Sequence, residues 1–196
     1  MCTAHTAELT PTELHAVRAL LDGAFGGGFG DDDRDHTLGG LHVPACGEHG
    51  LTAHGVVVMR RVRCGGRWLW TGCVEGAAVR RDVRRTGLGG RITAVLEGVV
   101  ERAYEFGALS ASDAGARLHA ARGWQAWRGP IRALGPDGVV RLAGEEGSTY
   151  VLPALAATAG PEAELLFGRR EGDVLRPVRI GRRRRPEGCG LIRRLR

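Results

Sequence analysis

The amino-acid sequence predicts a mixed α/β fold in which strands and helices pack in layers. Three observations support this prediction. A capped amphipathic helix opens the chain, a stretch rich in β-branched residues with a glycine turn follows it, and a second amphipathic helix begins after a cluster of glycines. With 196 residues, of which 43% are hydrophobic, the chain can bury one core and fits a single globular domain.

The first helix is predicted to begin at Pro11. Thr10 can cap the helix, and Glu13 can reach back to complete a capping box. The apolar residues that follow recur at helical spacing and form one face: Leu14, Val17, Leu20, Leu21 and Phe25. Glycines at positions 26–28 end the helix. We expect a flexible loop after them, in which most of the acidic run 31–35 is exposed to solvent.

Residues 42–78 are predicted to form strands. Residues 56–59 are rich in β-branched side chains, Gly65 and Gly66 mark a turn, and Trp68 begins the return strand. The return strand continues through residues 74–79. The pattern therefore predicts a hairpin whose second arm leads into a glycine cluster.

The second helix follows the glycines at positions 87, 89 and 90. Its apolar residues lie on one side: Leu88, Ile92, Val95, Leu96 and Val99. Beyond it, residues 110–122 are predicted to form a loop and a short helix. The remaining strand candidates are 108–109, 124–134 and 148–152. Trp124 and Trp127 are expected in the core at these positions.

The net charge of +6 is unevenly distributed along the chain. Nine arginines and one acid, Glu187, fall within residues 176–196, so residues 1–175 carry a net charge of −2. We expect a domain over 1–175 and a flexible, arginine-rich tail over 176–196. The tail has no aromatic residue, so any contact with nucleic acid would be weak, salt-sensitive and independent of base sequence.

The five cysteines are an odd number without a CxxC spacing. This indicates free thiols in a reducing compartment and argues against a disulfide framework or a zinc site. The first twelve residues lack a signal-peptide pattern, and no apolar run reaches membrane length. We therefore expect a cytoplasmic protein with no membrane partner and no metal.

A glycine-rich segment between the hairpin and the second helix is suited to binding an anion. Small residues there allow close backbone approach, a helix N-terminus presents unpaired N–H groups, and arginines add positive charge. The segment is neither a Walker loop nor a Rossmann fingerprint. The plainer reading is a glycine-rich helix entry. The residues concerned are Arg84, Arg85, Thr86, Gly87, Leu88 and Gly89.

This segment resembles the acetyl-CoA motif of the GNAT superfamily, Arg/Gln-x-x-Gly-x-Gly/Ala. More specific segments are similar to the aminoglycoside 2'-N-acetyltransferases and span roughly residues 5–175. They are Phe29 with residues 33–40 (DRDHTLGG), 73–76 (CVEG), 107–110 (GALS), 121–124 (ARGW) and 171–174 (EGDV). The resemblance implies an α/β (α+β) GNAT acyltransferase fold with a central mixed, mostly antiparallel sheet flanked by helices.

The resemblance also implies a site. Backbone groups of Ala77, Ala78 and Val79 would hold the pantetheine arm of acetyl-CoA, and the segment from Arg84 to Gly89 would bind its diphosphate. Glu75 would accept the amine proton, since a protonated ammonium has no lone pair for attack. A solvent-exposed strand carboxylate is the alternative for Glu75. The residues expected to contact the cationic aminoglycoside are Asp33, Glu75, Gly76, Ser110, Glu145 (or its neighbour Glu146) and Asp173.

The sequence departs from the family pattern at three positions. His119 stands where the family has a tyrosine that protonates the departing thiolate, and imidazolium can do the same. An acidic substrate contact falls at Gly28, and a terminal tryptophan falls at Leu175, after which this chain continues. The alternatives are a GNAT enzyme for another amine (peptide, polyamine or amino sugar), an acetyl-CoA-binding protein without turnover, or a nucleic-acid-binding protein. The resemblance also implies a homodimer.

Overall fold

The computed structural model describes residues 1–135, 137–153, 160 and 162–168. Asp173, Leu175 and the expected tail 176–196 lie outside these residues. The helices are α1 (Pro11–Ala24), α2 (Asp31–Thr37), α3 (Leu88–Ala103) and α4 (Asp113–Ala121). The strands are β1 (Ala4–His5), β2 (Leu41–His42), β3 (Ala45–Gly47), β4 (Gly50–Cys64), β5 (Arg67–Val79), β6 (Phe106–Ser110), β7 (Gln125–Ala126), β8 (Ile131–Gly135), β9 (Gly138–Arg141), β10 (Thr149–Pro153) and β11 (Leu165–Phe167).

The described strands form one mixed sheet with the order β7-β10-β6-β5-β4-β11-β8-β9, while β2 and β3 also pair with β4. Two pairs, β5–β6 and β8–β11, are parallel and the others are antiparallel. The predicted fold class is therefore confirmed.

The hairpin of β4 and β5 is the longest feature of the sheet. Its turn is formed by Gly65 and Gly66, with φ of 56° and 81°. Two successive residues with positive φ fit a two-residue hairpin turn, whose twist matches the twist of the strands. The turn predicted from sequence is confirmed.

Helix α1 begins with the predicted capping box. The backbone N–H of Thr10 donates to Oε2 of Glu13 at 2.6 Å, and the N–H of Glu13 donates to Oγ1 of Thr10 at 3.2 Å. These bonds satisfy N–H groups at both ends of the first helical turn.

The acidic run is helical, so the prediction of a loop over residues 31–35 was wrong. Carboxylates in a first turn interact favourably with the positive end of the helix dipole, and α2 has three of them, Asp31 to Asp33. Oδ2 of Asp33 accepts the N–H of Gly30 at 2.8 Å, and Arg18 pairs with Asp31 at 2.8 Å. The run therefore forms a helix that borders the sheet.

The prediction of one strand over residues 124–134 was also wrong. Gly129 and Pro130 interrupt the segment, and a proline cannot donate to a strand ladder. Strand β7 pairs with β10, whereas β8 pairs with β9 and β11. The sequence analysis missed β9 and β11, which are four and three residues long. Trp124 and Trp127 are buried, as predicted.

Helix α3 packs closely against the sheet through its predicted apolar face. Leu88, Ile92 and Leu96 are buried there with Val100. A Cβ atom on Gly55 of β4 would lie 2.7 Å from Cδ1 of Leu96, so glycine is needed for this close approach. The packing fixes the N-terminus of α3 beside the end of β5. No helix of the described residues is long and apolar enough to span a bilayer.

Candidate active site

The site begins where β5 and β6 separate. Their parallel register joins Thr71 through Cys73 to Phe106 through Ala108 and extends no further. On its other side β6 remains paired with β10 as far as Ser110. The two strands therefore diverge, and a cleft of about 550 Å³ opens between them. Along this side of the cleft, the backbone groups of residues 74–79 do not pair with β6.

A bulge lies on β5 at the mouth of this cleft. His54 is opposite Ala78 and Val56 is opposite Glu75, so Gly76 and Ala77 together face Gly55. Gly76 has φ of 49°, and a Cβ there would lie 3.2 Å from side-chain carbons of Leu21 and Thr37. The backbone conformation requires glycine at this position, and the limited space favours it.

The cleft brings together most of the predicted substrate and catalytic residues. Its lining includes Asp33, Glu75, Gly76, Ala77, Ser110, His119 and Glu145. Ala78, Val79 and residues 84–89 lie outside the lining, on the continuation of β5 and at the start of α3. Asp173 is outside the described residues.

The structure separates the two neighbouring glutamates proposed from sequence. Glu145 lines the cleft and accepts a hydrogen bond from the hydroxyl of Ser110. Glu146 instead pairs with Arg141 at 2.8 Å and accepts the N–H of Ile131, and Arg141 lowers the pKa of its carboxyl group. Of the two neighbouring glutamates, Glu145 is therefore the one that lines the cleft.

His119 is buried in the wall of the cleft, on α4. Its ring lies 5.7 Å from the Trp124 ring in an edge-on arrangement. Burial lowers the pKa of His119, nearby Glu97 partly opposes this shift, and Arg122 adds to it. A lowered pKa leaves the ring neutral at pH 7. Burial therefore disfavours the imidazolium form that the family resemblance implies for the proton donor.

A buried carboxylate holds this wall in place. Glu97 of α3 accepts hydrogen bonds from Nε of Arg122 and from Nε1 of Trp124, both at 2.9 Å. These contacts tie α3 to the end of α4 and orient the indole against which His119 packs. A fully hydrogen-bonded buried group of this kind rigidifies its surroundings.

The start of α3 has the geometry of an anion site. The first intrahelical bond joins the N–H of Arg91 to the carbonyl of Gly87, so the N–H groups of Leu88, Gly89 and Gly90 precede it. Gly87 caps the helix with φ of 80°, and Arg85 has φ of 64°. A Cβ on Gly89 would meet its nearest neighbour only at 3.6 Å, so packing alone does not require this glycine.

Sequence reasoning missed several residues of the site. Arg60 and His36 line the cleft, as does Cys73, whose thiol stays protonated because burial raises its pKa. His42 and His54 lie fully buried beneath the bulge. His36 and Cys73 fall within segments that resemble the family, but the spacing of these residues along the chain did not indicate that they line the site, because folding brings them together. Among the described residues, no group of three or more His, Cys, Asp or Glu is placed to hold a metal ion.

Diverging strands, a bulge at the point of divergence and a glycine-opened helix define the fold of the GNAT N-acetyltransferases. The GNAT family N-acetyltransferase YhbS from Escherichia coli, in complex with CoA, matches with a TM-score of 0.56 and 19% identity, covering 87% of this chain and 89% of that one. An acyl-CoA N-acyltransferase from Pseudomonas aeruginosa matches with a TM-score of 0.50 and 16% identity, covering 76% and 96%.

Sequence similarity places the chain more narrowly within this class. An aminoglycoside 2'-N-acetyltransferase from Mycolicibacterium fortuitum is 39% identical over 174 residues, which cover 87% of this chain and 89% of the relative. The chain belongs to the aminoglycoside 2'-N-acetyltransferase family. No protein-family model matches it.

Proposed function

We propose that this enzyme transfers an acetyl group from acetyl-CoA to the 2'-amine of aminoglycosides. The observation that carries the proposal is the position of Glu75. It lies immediately before the bulge of β5, in a cleft that also contains Asp33 and Glu145. A carboxylate suited to act as a base, a strand edge suited to bind the donor and carboxylates suited to a cationic acceptor support this proposal. The family of the chain supports the same reaction.

The donor side of the site consists of the β5 edge over residues 74–79 and the start of α3. The β5 edge offers backbone donors and acceptors to the amide groups of pantetheine, since it has no strand partner there. The N–H groups at the start of α3 suit a diphosphate, and Arg84 and Arg85 precede them. When bound, acetyl-CoA supplies an activated acetyl thioester. Backbone N–H groups near the bulge would stabilise charge on its carbonyl oxygen.

The acceptor side consists of the side chains of Asp33, Glu75, Ser110 and Glu145. The cleft lining contains three carboxylates and one guanidinium, that of Arg60, so its formal charge is negative when the histidines are neutral. An anionic concave surface attracts polycations such as aminoglycosides. Within this set, Glu75 takes the proton of the attacking amine, directly or through water.

His119, which lines the cleft, is proposed to act on the leaving sulfur. Because burial lowers its pKa and favours the neutral ring, we propose that it donates an N–H hydrogen bond to the sulfur. This role stabilises negative charge as the carbon–sulfur bond breaks. The proton that finally neutralises the thiolate then comes from solvent or from the reacting amine.

The regiochemistry can be tested with paired acceptors. Release of CoA is measured with tobramycin and gentamicin, which carry a 2'-amine, and with kanamycin A and amikacin, which carry a 2'-hydroxyl. We expect turnover only with the first pair, and a host that expresses the protein should resist only those drugs. Equal turnover with both pairs would refute 2'-specific acetylation. Retained acetyl-CoA binding without turnover on either pair would refute the aminoglycoside assignment.

A second candidate is acetylation of a different amine on a peptide, a polyamine or an amino sugar. Two observations favour it: Arg60 projects a positive charge toward the acceptor side, and Gly28 leaves an expected acidic contact without a side chain. Both features weaken the attraction for a polycation. The same assay distinguishes the two candidate functions, because under the second one a small amine acceptor is acetylated faster than tobramycin.

The protein is further proposed to act in the cytoplasm as a homodimer. The four cysteines among the described residues are free thiols, as a reducing compartment requires.

One face of the β4–β5 hairpin exposes Trp68 and Trp70, and the guanidinium of Arg61 lies 4.7 Å from the centre of the Trp70 ring. Exposed aromatic residues of this kind are enriched in interfaces. Light scattering should give twice the monomer mass, and substitution of both tryptophans by serine should reduce it.

A further inference from the structure

A chain of hydrogen bonds runs through the core beneath the bulge. Nδ1 of His54 lies 3.0 Å from the carbonyl oxygen of Gly76, and Nε2 of His54 lies 2.9 Å from Nδ1 of His42. Nε2 of His42 lies 2.7 Å from Oγ1 of Thr6. Both rings are fully buried. Neither ring has a part in the acetyl transfer described so far.

The partners of this chain determine the direction of its hydrogen bonds. A carbonyl oxygen only accepts, so Nδ1 of His54 must carry hydrogen and donate to Gly76. Both rings are neutral because burial lowers their pKa values. Nε2 of His54 therefore accepts from Nδ1 of His42, and Nε2 of His42 accepts from the hydroxyl of Thr6. The oxygen of Thr6 in turn accepts the N–H of Gly40 at 3.2 Å.

The bulge explains why Gly76 needs a donor from outside the strand ladder. The register of β4 and β5 skips Gly76 and Ala77 opposite Gly55. Gly55 directs its N–H and its carbonyl toward Val43, at 3.3 and 2.7 Å, on the opposite edge of β4. The neighbouring strand residue is therefore occupied elsewhere, and the imidazole of His54 takes its place. A buried carbonyl without such a partner would be costly.

We propose that His42 and His54 are positioning residues, whose hydrogen bonds fix the Gly76 carbonyl and thereby orient Glu75 and Ala77. This inference rests on the proposed function, because it concerns the base and the donor edge of the acetyl transfer. Glu75 precedes Gly76, and Ala77 follows it in the cleft lining. A rotation of the backbone at Gly76 would change the position of Glu75 relative to Ala77, and therefore the position of the base relative to the donor edge. Two buried rings thus control the relative placement of both reactants.

Two substitutions of His54 provide a matched test. The side-chain amide of His54→Asn reaches the position of Nδ1 and can still donate to Gly76, whereas that of His54→Gln reaches the position of Nε2. Both variants lose the ring and its packing. We expect His54→Gln to lower kcat on tobramycin at least tenfold with KM for acetyl-CoA within threefold, and His54→Asn to keep kcat within threefold. Equal kcat in the two variants, or losses that follow only the fall in Tm, would overturn the proposal.

A second readout does not depend on turnover. The ¹³C chemical shift of the Gly76 carbonyl, measured by NMR in the full-length protein without substrate, reports the hydrogen bond that this carbonyl accepts. We expect this resonance to move upfield in His54→Gln, where the donor is lost, and to stay close to its wild-type position in His54→Asn. An unchanged shift in His54→Gln would refute the positioning role. A wild-type protein that fails to acetylate aminoglycosides would refute only the proposed function, because the chemical-shift result stands on its own.

Discussion

The proposed donor and acceptor sides of the cleft are built from different parts of the polypeptide. The donor side is mainly backbone: an unpaired strand edge, a glycine bulge and the first amides of α3. The acceptor side is a set of side chains, Asp33, Glu75, Ser110 and Glu145, on segments far apart in sequence. Backbone groups are available whatever side chains a position carries, whereas each acceptor contact depends on one residue. Substitutions should therefore change substrate choice more readily than they change cofactor use.

Glu75→Gln should produce the largest fall in activity. It should also distinguish the two sides most clearly, because it changes catalysis and leaves binding of the donor unchanged. The amide has nearly the same shape but cannot accept the amine proton. General base catalysis contributes roughly 10²- to 10⁴-fold, so we expect kcat to fall by at least about 100-fold. The affinity for acetyl-CoA, measured by calorimetry, should stay unchanged. Glu101→Gln, on the exposed part of α3, serves as a control. Turnover near the wild-type rate would exclude Glu75 as the base.

The free energy of unfolding should depend on pH through the protonation of His42 and His54, which lie beneath the donor side of the cleft. Burial lowers their pKa values to about 3 and about 4, below the ordinary value of 6.5. Their neutral forms stabilise the fold fully above pH 6.5, and this stabilisation is lost as pH falls toward 4. The pair loses stabilisation on the order of 1 kcal/mol or more per pH unit in that window. Urea unfolding at pH 7 and pH 5 measures the loss, which should be smaller in His54→Asn. A pH-independent unfolding free energy would contradict burial of neutral rings.

On the acceptor side, Glu145 and Glu146 form a matched pair of neighbours. Glu145→Gln removes a charge that faces the cleft, and we expect KM for tobramycin to rise about tenfold, as for one charge-assisted hydrogen bond. Glu146→Gln removes an exposed ion pair with Arg141 and should leave KM within twofold. KM for acetyl-CoA should not change in either variant. If the two variants raise KM for tobramycin equally, Glu145 has no special contact with it.

His119 lies between the two sides, and its neutral ring should make a moderate contribution to kcat. His119→Phe removes the N–H donor, and we expect kcat to fall about tenfold, the scale of one hydrogen bond. His119→Tyr restores a hydroxyl donor and should recover most of the activity. His15→Phe, on α1, is the control. If His119→Phe keeps full activity, the ring is only part of the wall.

The smallest effects should come from substitution of the glycines of α3. At Gly89 the substitution should increase stability but weaken the binding of acetyl-CoA. Gly89→Ala adds a methyl group without a clash, so helix propensity should raise the unfolding free energy by about 0.5 kcal/mol. The same methyl group lies beside the backbone N–H groups that are proposed to bind the diphosphate. It should therefore weaken acetyl-CoA binding several-fold. Gly98→Ala, in the third turn, should stabilise similarly with no effect on binding. Equal affinities in the two variants would contradict an anion site at this end of the helix.

A similar contrast, between features set by neighbouring residues and features set by distant ones, explains which parts of the structure could be predicted from the sequence. The start of α1, the Gly65-Gly66 turn and the entry to α3 depend on local residue chemistry, and each is found as predicted. The acidic run was misread because its charge suggested a solvated loop, although the helix dipole favours those carboxylates. Strands β9 and β11 are too short for a periodic signal, and β11 is held by partners far away in sequence. Site residues carried by a family motif could be named, whereas the His42–His54 pair could not, because only folding brings these two rings together.

The hairpin of β4 and β5 also bears on the order in which the molecule folds. Its arms are adjacent in sequence and joined by a two-residue turn, so little chain entropy is lost when they pair. The pairing of β4 with β11 must wait for residues 165–167, about a hundred positions later. We expect the strand that carries Glu75 and the bulge to form early, while the chain is still being synthesised. The part of the cleft wall proposed to bind the acceptor is completed only after β10 and β11 have been synthesised.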